Sequence, residues 1–229
     1  MKAKLYWAFS VLTIMLVILS VTAAYASAES KKPKEPLDQI TFIHYKDGKV
    51  KVAGSKGGPT CYKLMGIKWK NFPVTYVISP VVDANAVAAS ANEWDSHTST
   101  ALFDGYTIDA SANFDDSPDG RNEYSVGNYP QSGVIAVTRT WYTRFGKQIV
   151  EYDVMFDSDF AWGDATSNSS VMDWQNIATH ETGHGIGLSD VYNNACSAAT
   201  MYGYSSEGDI AKRTLEQPDI TGLQKMYGA

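Results

Sequence analysis

Several things are scarce in this 229-residue chain, and each scarcity excludes something. There is no basic excess: 19 lysines and arginines stand against 25 acidic residues, for a net charge of −6, which argues against a nucleic-acid partner. Only one long apolar run occurs, Leu5–Ala24, so no other segment is able to span a bilayer. No internal repeat is visible, so the chain reads as one domain plus appendages. Cysteine is limited to Cys61 and Cys196, and there are four histidines. Hydrophobic content of 44% and charged content of 19% are ordinary for a globular protein.

The N-terminus has the features of a targeting segment. Lys2 and Lys4 precede the apolar run, and Ala26-Ser27-Ala28 suits cleavage after small residues. Residues 1–28 are therefore expected to be a signal peptide and the protein to be secreted. The alternative is an uncleaved segment that anchors it to a membrane, the only membrane association foreseen. Residues 29–58 form a short extension: Lys31–Pro36 has linker composition, Ile40–Tyr45 is a strand candidate, and Gly54–Pro59 is turn-like. His44 in this extension reads as an ordinary polar residue. Residues 59–229 make up the main domain, expected to be monomeric. In an exported chain an even cysteine count points to a disulfide between Cys61 and Cys196.

What is present is concentrated in His180-Glu181-Thr182-Gly183-His184-Gly185-Ile186-Gly187-Leu188-Ser189-Asp190. Histidines four apart on a helix share a face, so His180 and His184 can offer nitrogens to one Zn²⁺. Glu181 lies between them and can serve as general base toward water. Gly187 permits a sharp turn, which can return Asp190 as a third, oxygen ligand. Three protein ligands leave a fourth position open, the mark of a catalytic rather than a structural zinc site. The chance expectation for the five fixed positions is on the order of one in 10⁵, assuming independence. Upstream, Ser170 and Asp173 have capping-box spacing, and Val171, Trp174 and Ile177 recur at helical spacing, predicting a helix that ends near Gly185 or Gly187.

The extended motif resembles that of the metzincin zinc endopeptidases. Ala199-Thr200-Met201-Tyr202-Gly203-Tyr204 resembles their Met-turn, in which Met201 would lie beneath the metal. Leu215–Gly228 resembles the closing helix of matrixin-type catalytic domains, with Pro218 in its first turn and Gly228 at its C-cap. Gly66–Trp69 and Val74–Ile78 resemble the first matrixin strand, so the likeness extends over residues 61–228. It implies an α+β fold: a twisted five-stranded mixed sheet, two long helices above the cleft, and a small lower subdomain with the Met-turn and C-terminal helix. It also implies that the strand over Val134–Tyr142 forms the sheet edge where an extended substrate adds. Three features depart from the family. The third ligand is Asp190 rather than histidine, as in some small microbial metzincins. The histidines of the additional structural zinc are missing, since His44 and His97 lie outside the matching segment. No P-R-C-G latency sequence is present.

Elsewhere, Asp83 caps an expected helix to about Ser96 with Val87, Ala91 and Trp94 on one face. Val134–Tyr142 and Ile149–Phe156 read as an antiparallel hairpin turning at Phe145–Lys147. Asp115–Gly120 and Asp157–Asp159 are acidic loops, read as solvated turns with Ca²⁺ as the alternative; at position twelve of the first stands Val126 rather than the glutamate of an EF-hand.

The expected function is exported, zinc-dependent hydrolysis of peptide bonds in protein or peptide substrates, with Glu181 as general base and Tyr204 either assisting the oxyanion or lining a pocket. Two alternatives remain. A gluzincin-type enzyme would take its third ligand from Glu207 or Glu216. A non-catalytic peptide-binding module would keep the fold without turnover, although the intact Glu181 weighs against it. A further alternative makes Cys61 a latency thiolate on zinc.

Overall fold

The computed structural model describes residues 35–46 and 60–229. The expected signal segment 1–28, most of the linker and the turn-like Gly54–Pro59 lie outside the described residues. Among the described residues no helix is long and apolar enough to cross a membrane.

A seven-stranded mixed sheet carries the fold. Its strands are β1 (Leu37–Lys46), β3 (Val74–Ile78), β4 (Phe103–Ile108), β5 (Glu123–Gly127), β6 (Val134–Thr143), β7 (Ile149–Asp157) and β11 (Tyr204–Ser205), in the order β11-β1-β6-β7-β5-β3-β4. Three pairs of the β4-β3-β5-β7 run are parallel, and β6 closes the run antiparallel to β7. The sequence implies five strands and places three of them, β3, β6 and β7; β4 and β5 complete that number. The other two, β1 and β11, lie outside the expected edge. The β6–β7 hairpin forms as the alternation and turn residues predict, because β-branched and aromatic side chains suit a pleated surface buried on both faces.

Three α-helices are described: α1 (Ala84–Asp95), α2 (Trp174–Gly185) and α3 (Gln217–Tyr227). Asp83 caps α1 by accepting from the Asn85 and Ala86 amides, and Val87, Ala91 and Trp94 are buried, as the sequence predicts. α2 starts later than the S-x-x-D spacing suggests. Asp173 is its N-cap, accepting from the Asn176 amide at 2.8 Å, whereas Val171 and Met172 are still extended or irregular. The reason lies in tertiary contacts: Asp173 also receives the Arg213 guanidinium and the Ala165 amide, so it is held where it can cap and Ser170 is not. α3 carries a reciprocal capping box between Glu216 and Asp219, proline in its first turn, and Gly228 at its C-cap.

α2 is buried from Asn176 to Gly185, because it lies between the sheet and α1. Tyr124 of β5 bonds Thr182 at 2.8 Å, and Trp94 of α1 donates to the Thr179 carbonyl at 2.9 Å. Its C-terminal carbonyls are satisfied by side chains from distant segments: Trp69 donates to the Gly185 carbonyl and Tyr227 to that of Ile186. The chain then turns at Gly187, whose φ of +109° and contact with the Ile67 carbonyl leave no place for a side chain. Ahead of α2, β8 (Trp162–Gly163) pairs parallel with β9 (Met172–Asp173). Below the Gly187 turn β10 (Leu188–Ser189) pairs with β2 (Lys63–Leu64), and Cys61 is bonded to Cys196 across 135 residues of sequence.

Candidate metal centre

His180 and His184 lie one turn apart in α2, and the Gly187 turn returns Asp190 to them. His180 Nε2 is 3.1 Å and His184 Nε2 3.4 Å from Asp190 Oδ1. All three atoms are buried, and none makes a directed hydrogen bond among the described residues. Three buried, unbonded donor atoms at such spacing would be costly without a partner. Tetrahedral zinc with bonds near 2.0–2.1 Å separates its ligand atoms by about 3.3–3.4 Å, so the three residues fit a zinc ion.

The surroundings prepare each donor. His180 Nδ1 donates to the Thr200 carbonyl at 2.7 Å and His184 Nδ1 to the Leu188 carbonyl at 2.8 Å, which leaves both Nε2 lone pairs facing the centre. Burial pushes His180 down to about 4, keeping it neutral. Burial would likewise lower His184, but the adjoining Asp190 carboxylate raises it. Burial opposes ionisation of Asp190, yet the two imidazoles hold its carboxyl well below the usual range. The other oxygen of Asp190 accepts from the Tyr192 hydroxyl at 2.9 Å.

Met201 is fully buried beneath α2, and its sulfur fills the space where Gly183 has no side chain. This floor is pinned from below, since Asp219 of α3 accepts from the Thr200 and Met201 amides at 2.8 and 3.1 Å. A line of bonds thus runs from α3 through the Met-turn to His180. Tyr204 is buried in β11, its ring edge-on to those of Tyr192 and Tyr202.

Glu181 is fully buried beside the two histidines, and burial raises its carboxyl to about 7. One oxygen accepts from the Thr138 hydroxyl at 2.6 Å. The other is 2.9 Å from His44 Nδ1. His44 is therefore no ordinary polar residue of a solvated arm: it is buried in the site, with its ring 4.0 Å from that of His180. Phe42 stacks on His184 at 3.9 Å with the planes 7° apart. Nor is β6 the free edge expected from its position, because β1 pairs with it antiparallel, Phe42 opposite Thr138 and His44 opposite Ala136.

The remaining sequence candidates lie elsewhere. Glu207 pairs with Lys46 at 2.6 Å and Glu216 caps α3, so neither stands as the third ligand. Cys61 is in a disulfide rather than a thiolate on metal. Asp115, Asp119 and Glu123 bring carboxylate oxygens within 4.8 Å of one another, but Arg121 answers Glu123 at 3.1 Å and Asp119 is exposed. His97 pairs with Glu93 on α1. Sequence reasoning missed Thr138, Tyr192, Asp219 and Lys212, whose Nζ lies 3.4 Å from His44 Nε2, as partners of the centre; spacing to the motif carried no signal for Thr138, Tyr192 or Lys212, and Asp219 was visible only as a helix-start residue.

Residues 130–228 match the matrixin family model. This part of the chain is matrixin-like. Over 77 residues, a third of the chain, it is 36% identical to stromelysin-1 of Rattus norvegicus, of which the match covers 15%. It is 37% identical over 76 residues to matrilysin of Homo sapiens, covering 27% of that protein. The chain thus spans only a small part of these relatives. The matrixin-like segment contains β6, β7, all of the centre except His44 and Phe42, and α3; β1 lies before it.

Proposed function

We propose that the protein is an exported zinc endopeptidase of matrixin type, with His180, His184 and Asp190 as ligands and Glu181 as general base. The observation that carries this reading is the convergence of three buried, unbonded donor atoms beside a buried carboxylate. The zinc ion, when bound, would supply Lewis acidity to the scissile carbonyl and to water. The chain's own groups do the rest. Glu181, poised near neutrality, takes a proton from the attacking water and hands it to the leaving amine. Thr138 fixes one carboxylate oxygen; the other, held here by His44, is the one that would face the reacting atoms once His44 withdraws. Tyr192 holds Asp190 and thereby keeps its remaining oxygen turned to the ligand position. With β1 displaced, main-chain groups of β6 would hold an extended peptide independently of its sequence. The basic, apolar and small-residue order of residues 1–28 supports export.

Metal analysis and cleavage of an unfolded protein such as casein test this reading together. Purified protein is expected to contain one zinc per chain. Glu181→Gln should keep that zinc and the fold but lose hydrolysis by about 10²–10⁴-fold, the usual worth of a general base. Cleavage by Glu181→Gln within a few-fold of wild type would refute the assigned base. Zinc with no cleavage under any condition, together with retained peptide binding, would favour a binding module.

A further inference from the structure

The strand β1 lies outside the matrixin-like segment yet fills its centre. It runs antiparallel to β6 on one side and, at Tyr45 and Lys46, parallel to β11 on the other. It therefore joins β6 to β11, the strand that follows the Met-turn, and lies against the metal ligands. Phe42 covers His184, and His44 covers His180 and reaches Glu181. Lys212, a buried lysine, faces His44 Nε2 at 3.4 Å while donating to the Tyr204 carbonyl at 2.8 Å. That arrangement leaves the imidazole proton on Nδ1, donated to Glu181. Both oxygens of the base are then engaged, one by His44 and one by Thr138, and neither is available to water.

Both ends of the strand are tied down. Arg144 grips Asp38 through Nε and Nη2, and the Gly146 amide donates to Glu35. At the other end Lys46 pairs with Glu207, and its amide donates to the Gly133 carbonyl. The ladder shifts register between His44 and Tyr45, the point at which β1 reaches the base.

We propose that Leu37–Lys46 is an intramolecular pseudo-substrate: it occupies the extended-peptide groove, plugs the centre with His44 and Phe42, and holds the full chain latent until it is displaced. This rests on the peptidase reading above. A strand added to a sheet edge gains affinity from main-chain bonds. Covalent attachment supplies it at an effective concentration on the order of mM. A substrate present at micromolar levels cannot compete on those terms. The latch works by steric and hydrogen-bonded occupation and needs no cysteine.

The test uses the zinc-loaded chain from residue 29 onward in two forms. One is Phe42→Pro with Ile43→Pro, which removes consecutive ladder donors from β1. The other is Phe42→Ala with His44→Ala, which trims the plug and keeps the backbone. Zinc content and thermal unfolding establish that each is folded. Both are expected to cleave casein at least ten-fold faster than wild type, and a synthetic Leu37–Lys46 peptide added in trans should return the rate to the wild-type level. Independently of turnover, the labelled peptide should bind the proline variant carrying Glu181→Gln, by fluorescence anisotropy, and should not bind wild type. Peptide binding without cleavage would uphold the occupied groove and overturn the peptidase reading. Folded variants that bind no peptide and cleave no faster than wild type would overturn the latch, while leaving a cleaving wild type as a peptidase.

Discussion

Asp190 illustrates how much one residue's role depends on a neighbour that no motif contains. Its Oδ1 faces both histidines and its Oδ2 accepts from Tyr192. A carboxylate can rotate between monodentate and bidentate poses; the Tyr192 hydroxyl removes that freedom. Asp190→Ala should abolish tight zinc binding, because two imidazoles alone make a poor site. Tyr192→Phe should keep zinc but weaken it by about 10–100-fold, the usual worth of an outer partner. Glu207→Ala should leave affinity unchanged, since its carboxylate is committed to Lys46. Competition with a zinc chelator separates the three; equal affinity in Tyr192→Phe and wild type would show that the hydroxyl does not orient the ligand. The convergence of the proposed ligands and base was legible in the sequence because helical spacing and a glycine turn place them locally. Tyr192, Thr138 and Lys212 were not, because their contacts are made by side chains whose direction local periodicity leaves open.

Elements show the same division. α1 could be read end to end from Asp83, Val87, Ala91 and Trp94, all governed by local capping and one buried face. The start of α2 could not, because Asp173 becomes the cap through Arg213, forty residues away. β1 was legible as a strand from Ile40–Tyr45, but its pairing with β6 was not, since nothing in a strand's own alternation names a partner a hundred residues on. The centre of the sheet carries an electrostatic cost that also has no local signature. Glu123, Glu151 and Asp153 are buried together on β5 and β7. Burial first, then the charges of Glu151 and Glu123, push Asp153 up to about 9. A carboxyl raised in the folded state favours the protonated form there. Its contribution is therefore fully present below the unfolded value near 3.8 and is lost as pH rises toward 9. Asp153→Asn keeps an oxygen to accept from the Glu123 amide and cannot ionise. It should flatten the decline in stability between pH 4 and 9, measured by urea unfolding across that range. An unchanged pH slope would mean that Asp153 ionises freely in the fold.

For the whole molecule, the question is what keeps the two walls of the cleft together. β1 spans them from above the ligands, α3 reaches the floor through Asp219, and the Cys61–Cys196 bridge joins the segment before β2 to the loop beyond Asp190. The bridge closes a loop of 135 residues, for which chain entropy sets an upper contribution of roughly 5 kcal/mol. Cys61→Ser with Cys196→Ser should therefore lower Tm by roughly 5–15 °C, given a few degrees per kcal/mol for a domain of this size. Its effect on turnover discriminates between two kinds of latency. If a Cys61 thiolate silenced the metal, removing or modifying it would switch the protein on. Here both cysteines are spent on the bridge and the plug is His44, so reduction or thiol alkylation should destabilise the protein without first activating it. Calorimetry and casein cleavage measured on the same reduced and non-reduced samples check both halves. A burst of activity on thiol modification, ahead of any loss of structure, would contradict the bridge as a purely structural tie.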